Sequence, residues 1–277
     1  MFNVGKFNKL QVVKKVDFGV YLSDGSNPEK VLLPGKYVPA GIQLNDWINV
    51  FLYHDSEDRL IATTLTPKAQ VGDIALLAVK DVSSVGVFLD WGLEKDLFVP
   101  FKEQRERMVL DHSYVVMVMI DRLTGRIMAS NRFNIIVKPG RPQLENGQPV
   151  DLIVYDRADI GFKVLVNRQY QGFLYRNEIF QPVAIGDELK GFVHKIRPDN
   201  KLDVRLQKSG FGGVLEVKDT IMNELTAAGG FLPLNAYSPP EEIKKRFHMS
   251  KNVFKQAIGN LYKERRIEVT DDGIKLP

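Results

Sequence analysis

The chain contains no cysteine. That absence removes disulfides, thiolate zinc ligands and a thiol nucleophile, and it fits a reducing compartment. No stretch approaches the roughly 18 consecutive apolar residues of a membrane-spanning helix. The opening Met1-Phe2-Asn3-Val4-Gly5-Lys6 lacks the charged lead and apolar run of a secretory signal. A cytoplasmic protein with no membrane partner is therefore expected. Histidine is scarce: His54, His112, His194 and His248 are all there are, and no two stand at the spacing of helical metal ligands. No glycine-rich loop ends in Gly-Lys-Ser or Gly-Lys-Thr, and no nucleophile elbow or dense acidic cluster is visible. The sequence thus proposes no catalytic residue, no metal site and no cofactor, and the expected protein is not an enzyme.

Charge of either sign is also not dominant. The 38 Lys and Arg stand against 34 Asp and Glu, a net +4, and the isoelectric point is near 9.0. Such a balance permits a polyanionic partner through phosphate attraction and counterion release, without demanding one. What the chain does have is length and repetition. Its 277 residues, 44% of them apolar, suit about two to four compact units.

Three segments repeat one order of features. Each has a β-rich run meeting a glycine between apolar or aromatic residues: Val16-Asp17-Phe18-Gly19-Val20-Tyr21-Leu22, Val82-Ser83-Ser84-Val85-Gly86-Val87-Phe88-Leu89, and Ala158-Asp159-Ile160-Gly161-Phe162-Lys163-Val164. A second apolar strand follows (Val31–Pro34, Leu97–Pro100, Gly172–Tyr175), then a long alternating strand (Asp46–Tyr53, Tyr114–Ile120, Glu188–Ile196). A charged turn leads to a last strand at Arg59–Thr63, Arg126–Ser130 and Lys201–Leu206. Short period-two strands at regular spacing predict barrels or sandwiches, and five strands in this order read as an OB-type barrel. The glycine is expected to let the early strands bend sharply.

After Gly210-Phe211-Gly212-Gly213 the periodicity becomes helical. A helix is predicted over Glu216–Ala228, with Val217, Ile221 and Leu225 on one face and Gly229-Gly230 as its stop. Ser238-Pro239-Pro240-Glu241-Glu242 predicts a second helix start with Ser238 as cap, ending near Phe247. Ser250 is the expected cap of a third helix with an apolar stripe at Val253, Phe254, Ala257, Ile258 and Leu261. Two strand-like pieces, Arg266–Val269 and Gly273–Leu276, complete a winged helix-turn-helix. The fold class is accordingly mainly β: three tandem OB-type five-stranded barrels followed by an α+β winged helix-turn-helix domain. The boundaries read as 1–66, 67–138, 147–210 and 214–277, with Pro67-Lys68 and the linker Lys138-Pro139-Gly140-Arg141-Pro142 as punctuation.

These residues carry a resemblance. Each barrel is similar to the RNA-binding domain first known from ribosomal protein S-one, and three barrels plus a winged helix resemble the conserved virulence factor B family of bacterial RNA-binding regulators. In that barrel type, aromatics just before and two after the glycine stack on bases. A histidine stands on the next strand, and an acid and a base flank the final turn. The resemblance assigns these roles to Phe18, Tyr21, Asp55 and Arg59 in the first barrel, and to Phe88, Asp121 and Arg126 in the second. In the third it assigns them to Tyr175 and Lys201. Leu33 and Val99 occupy the histidine position of the first two barrels, Val85 replaces one aromatic, and Ile160 and Lys163 replace both in the third. Arg197 stands at the third barrel's acid position, which would make that face more basic.

Stacking suits the role because every base has a π-face, at about 1–3 kcal/mol per base, with Arg and Lys adding phosphate and cation–π contacts. The same rings can equally pack inside a barrel, and basic residues at turns are commonly only solvated. In the winged helix, Lys251, Lys255, Lys263 and Arg265, with Gln256, Asn260 and Arg266, present a polar face to DNA, to RNA, to a nuclease or other protein partner, or to water. The expected function is single-stranded RNA binding by a post-transcriptional regulator of transcript abundance or processing. The alternatives are a protein-interaction scaffold and a DNA-binding transcriptional regulator acting through the winged helix.

Overall fold

A computed structural model describes residues 2–25, 28–138, 140–207 and 211–277; Pro139 of the expected linker and Gly210 of the expected transition lie outside them. The first strand, β1 (Phe7–Val16), shows how alternation becomes a barrel. Leu10 and Val12 point inward while Lys9 and Gln11 point away, and then the register slips between Val12 and Lys14. The bulge lets one strand curve enough to pair with β2 (Gly19–Ser23) at one end and β4 (Trp47–His54) at the other. With β3 (Val31–Pro34) and β5 (Leu60–Thr63) the ring closes in the order β1-β2-β3-β5-β4, β3 and β5 running parallel.

The second barrel repeats the circular order with β6 (Ile74–Val82), β7 (Gly86–Asp90), β8 (Leu97–Pro100), β9 (Ser113–Ile120) and β10 (Ile127–Ser130). Its sheet, β10-β9-β6-β7-β8, stays open at the seam between β8 and β10. A short helix, α1 (Phe133–Ile136), follows. The third barrel, β11 (Pro149–Ala158), β12 (Gly161–Val166), β13 (Tyr170–Tyr175), β14 (Glu188–Ile196) and β15 (Leu202–Arg205), is closed again. The bulge recurs at the same place in both, between Val79 and Asp81 and between Val154 and Asp156.

The repeated glycines therefore have a different task from the expected bend. A Cβ at Gly19 would fall 2.2 Å from the Leu33 carbonyl oxygen, at Gly86 2.4 Å from that of Val99, and at Gly161 2.1 Å from that of Leu174. The curvature comes from the bulge one strand earlier. The glycine allows the neighbouring strand to approach closer than any side chain permits.

The chain separates into two compact units, residues 1–136 and 137–277. In the first, β4 is buried on both faces. Val50 and Leu52 belong to the first barrel's core, whereas Phe51 and Tyr53 join Trp91, Leu97, Val116 and Val118 in the core of the second. A continuous apolar run rather than clean alternation is the expected pattern for such a strand, and Val50-Phe51-Leu52-Tyr53 has it. The second unit holds the third barrel, around Leu152, Val154, Val164, Leu174 and Val204, and the C-terminal domain.

That domain contains α2 (Phe211–Ala227), β16 (Phe231–Leu232), α3 (Pro240–Phe247), α4 (Lys251–Lys263), β17 (Glu268–Thr270) and β18 (Gly273–Lys275). The three strands pair in the order β16-β18-β17, the winged-helix arrangement, and β16 is a strand that periodicity did not indicate. Ile221, Leu225, Phe254, Ile258 and Leu261 meet in one core. Ser250 caps α4 as expected, accepting from the Val253 N–H at 3.3 Å. Ser238 does not cap α3. The cap position is Pro239, and the Ser238 hydroxyl instead accepts from the Asn235 N–H at 2.8 Å, serving the preceding loop. Among the described residues, no helix is long and apolar enough to cross a membrane.

Candidate nucleic-acid interface

Strand register decides which residues share the outer face of each barrel. Gly19 lies opposite Pro34, Gly86 opposite Pro100, and Gly161 opposite Tyr175. Pro34 and Pro100 are thus the counterparts of Tyr175. Leu33 and Val99, read from sequence as standing at the histidine position, are one residue out of step and wholly buried in their cores. A slip of one residue on a strand exchanges inside for outside.

The residue before the glycine projects outward in all three barrels. Phe18 is 60% exposed, Val85 61% and Ile160 63%. Two residues beyond the glycine stand the half-buried Tyr21, Phe88 and Lys163, paired across to Leu32, Phe98 and Phe173. Each barrel therefore presents two rings beside its glycine. Phe18 and Tyr21 meet edge to face at 6.5 Å between centroids. Phe88 and Phe98 lie 5.2 Å apart, and Phe173 and Tyr175 4.8 Å apart. Phe98 and Phe173 escaped the sequence reading. The signal was available in Leu97-Phe98-Val99-Pro100, where inward Leu97 and Val99 force Phe98 outward.

The acid–base pairs behave differently from barrel to barrel. In the first, the Asp55 carboxylate accepts from the Arg59 Nε at 2.9 Å and Nη2 at 2.7 Å, and from the Glu57 and Arg59 backbone N–H groups at 2.9 Å. Partial burial pushes the Asp55 carboxyl upward, but these donors outweigh it and hold it below the usual carboxylate range. In the second barrel Asp121 accepts from the Leu123 N–H at 3.0 Å, the main cause of its lowered pKa. Its side chain does not pair with Arg126. The Arg126 guanidinium reaches instead to Asp58 of the first barrel, donating from Nε at 2.9 Å and also from Nη2. That contact is what chiefly lowers the Asp58 carboxyl. In the third barrel Lys201 lies 3.3 Å from Asp199. Arg197 stands 3.9 Å from Asp199 and 3.8 Å from Asp203, so acids offset the extra positive charge expected there.

Phe88, Asp121 and Arg126 come together in the wall of a cavity of about 450 Å³ that also includes Tyr53, His54, Trp91 and Lys102. Burial, reinforced by the neighbouring Tyr37, pushes the Tyr53 phenol well above its ordinary range, so it is neutral at physiological pH. In the winged helix, Lys255, Lys263 and Arg265 are exposed. Lys251 donates to the Tyr237 carbonyl at 3.2 Å, and Arg266 lies 3.9 Å from Glu264. The apolar stripe of α4 is turned into the core, which leaves these bases on its outer side.

Barrel, barrel, barrel and winged helix define a class of multidomain OB-fold protein, and sequence comparison refines it. Residues 4–65 match the model of the S1 domain, and residues 219–276 match that of the CvfB-like winged helix domain. Over nearly its whole length the chain is similar to the conserved virulence factor B proteins. It is 23% identical to that of Staphylococcus epidermidis over 282 residues, covering 99% of this chain and 94% of the relative. It is 26% identical to the uncharacterized protein YitL of Bacillus subtilis over 270 residues, covering 93% and 88%. A solved structure, a multidomain protein with nucleic acid binding domains from Streptococcus pneumoniae, is 24% identical with a TM-score of 0.44. The match covers 99% of this chain and 98% of that one.

Proposed function

We propose that the protein binds single-stranded RNA on the ring-bearing faces of its barrels and acts as a post-transcriptional regulator. The observation that carries this reading is the outward ring pair beside the glycine of each barrel, at 6.5, 5.2 and 4.8 Å between centroids. Rings that served only packing would point inward, and Phe18 at 60% exposure contributes little to a core. Exposed rings next to cations are what a base-stacking, phosphate-tracking surface requires. The S1 domain match over residues 4–65, a span that includes Phe18 and Tyr21, supports this reading. In this reading Arg59, Lys201 and the exposed bases of the winged helix add phosphate contacts. Several faces on one chain raise avidity by effective concentration.

Fluorescence anisotropy with short single-stranded RNA, matched single-stranded DNA and duplex DNA across a salt series tests it. Single strands should bind in preference to duplex, with affinity falling as salt rises. Phe18→Ala with Tyr21→Ala should weaken binding by about 1–3 kcal/mol for each base lost, with an unchanged unfolding midpoint. Preference for duplex DNA would transfer the function to the winged helix, and absence of binding would favour a protein-interaction scaffold.

A further inference from the structure

One loop of the second barrel reaches into the first. Residues 91–96 join β7 to β8, a connection for which residues 167–169 suffice in the third barrel. Trp91 plants this arm. Its ring meets Phe51 edge to face at 5.7 Å, and its Nε1 donates to the Lys95 carbonyl at 2.7 Å. The Lys95 ammonium is thereby set against the turn between β4 and β5. It donates to the Asp55 carbonyl at 2.7 Å and lies 3.9 Å from the Asp58 carboxylate. Arg126, the residue before β10, grips the same carboxylate through Nε at 2.9 Å and through Nη2. The turn so held carries the cation of the first ring face, Arg59. In all three barrels the residue before the base is left-handed, at φ +69° for Asp58, +70° for Gly125 and +62° for Asn200. Glycine and asparagine suit that conformation and aspartate tolerates it. Of the three, Asp58 alone adds a negative charge that cations can hold.

Within the turn, the Asp55 carbonyl also accepts from the Asp58 N–H at 3.0 Å, and the Asp55 N–H donates to the Arg59 carbonyl at 3.0 Å. Arg59 is therefore oriented by a chain of contacts. Lys95 and Arg126 fix the turn, the turn fixes the Asp55 carboxylate, and the carboxylate fixes the guanidinium. We propose that Lys95 and Arg126 are positioning residues that preorganise Arg59 for a phosphate of bound RNA. The second barrel sharpens the first in this way, instead of offering Arg126 to the strand itself. The inference rests on the reading of the barrel faces above. Preorganisation raises affinity because a long side chain ordered beforehand need not be ordered on binding.

Asp58→Asn separates this role from direct contact by the sign of its effect. Asparagine suits the left-handed turn, as Asn200 shows in the third barrel, but removes the charge that holds both cations. Were Arg126 a phosphate contact, deleting an acid and releasing Arg126 would strengthen RNA binding. The positioning role expects the opposite. In the full-length protein, anisotropy with a short single-stranded RNA at fixed salt should show Asp58→Asn weakening affinity about fivefold. Its melting temperature should change little. In an Arg59→Ala background, Asp58→Asn and Arg126→Gln should both lose their effect, since they act through Arg59. Arg126→Gln opens the same contact from the second barrel and carries the test should Asp58→Asn fail to fold. Tighter or unchanged binding by Asp58→Asn overturns the proposal and leaves the barrel-face function standing. So does an effect of either change that persists without Arg59, or an Arg59→Ala variant that binds like the unaltered chain. Absence of RNA binding by the unaltered chain overturns both.

Discussion

β4 and β14 hold the same place in two barrels of one design, and they are built for different neighbours. Counted from the bulges of β1 and β11, Phe51 corresponds to Phe192, and across a further bulge in β14 Tyr53 corresponds to Lys195. In β4 both residues are buried against the second barrel, so the strand is apolar on two faces. In β14 Phe192 is half-buried between the buried Gly191 and Val193, and Lys195 is exposed. A single strand thus tells whether its barrel is half of a fused pair or stands with a solvated flank. The same fusion creates the walled cavity of the second barrel and diverts Arg126 from its own turn to Asp58.

The sharpest way to break this contrast is to truncate the corresponding rings. Phe51→Ala removes a fully buried side chain and should cost about 3–5 kcal/mol in equilibrium denaturation. Phe192→Ala should cost clearly less, and equal losses would dissolve the distinction. Next come the glycines. Gly86→Ala and Gly161→Ala, forced against carbonyl oxygens 2.4 and 2.1 Å away, should each destabilise by about 1–3 kcal/mol. A neutral result would show that the close strand approach does not require glycine. Disrupting the Asp58–Arg126 contact should have a smaller, salt-sensitive effect on the first unit's melting temperature, because both partners are exposed. The smallest effect is in pH. The depressed Asp55 carboxyl contributes stability that is fully present above the ordinary carboxylate pKa and is lost as pH falls through its lower folded value. Asp55→Asn should abolish that acid-side slope and leave neutral-pH behaviour nearly unchanged.

Much of this was legible without coordinates. Inward and outward positions alternate along Phe7–Val16, the charged turns separate the last two strands of each repeat, and Ser250 announces α4. Phe18 and Tyr21 were readable because they flank a glycine that recurs. Phe98 and Phe173 were harder, since alternation turns them outward but only the opposite strand's register sets them beside the glycine. Leu33 and Val99 were misplaced by one residue for the same reason. Ser238 had the composition of a cap, but the preceding loop competed for its hydroxyl.

What the sequence determined by itself is the set of elements and their order, because period, turn chemistry and caps act within a few residues of each other. Tertiary structure alone decided which strand faces two cores, which aspartate Arg126 reaches, and where an outward ring finds its partner. Those outcomes depend on contacts between residues far apart in the chain, such as Phe51 with Trp91 at 5.7 Å and Arg126 with Asp58. Local pattern does not encode such pairings, because packing selects one partner among many of similar chemistry.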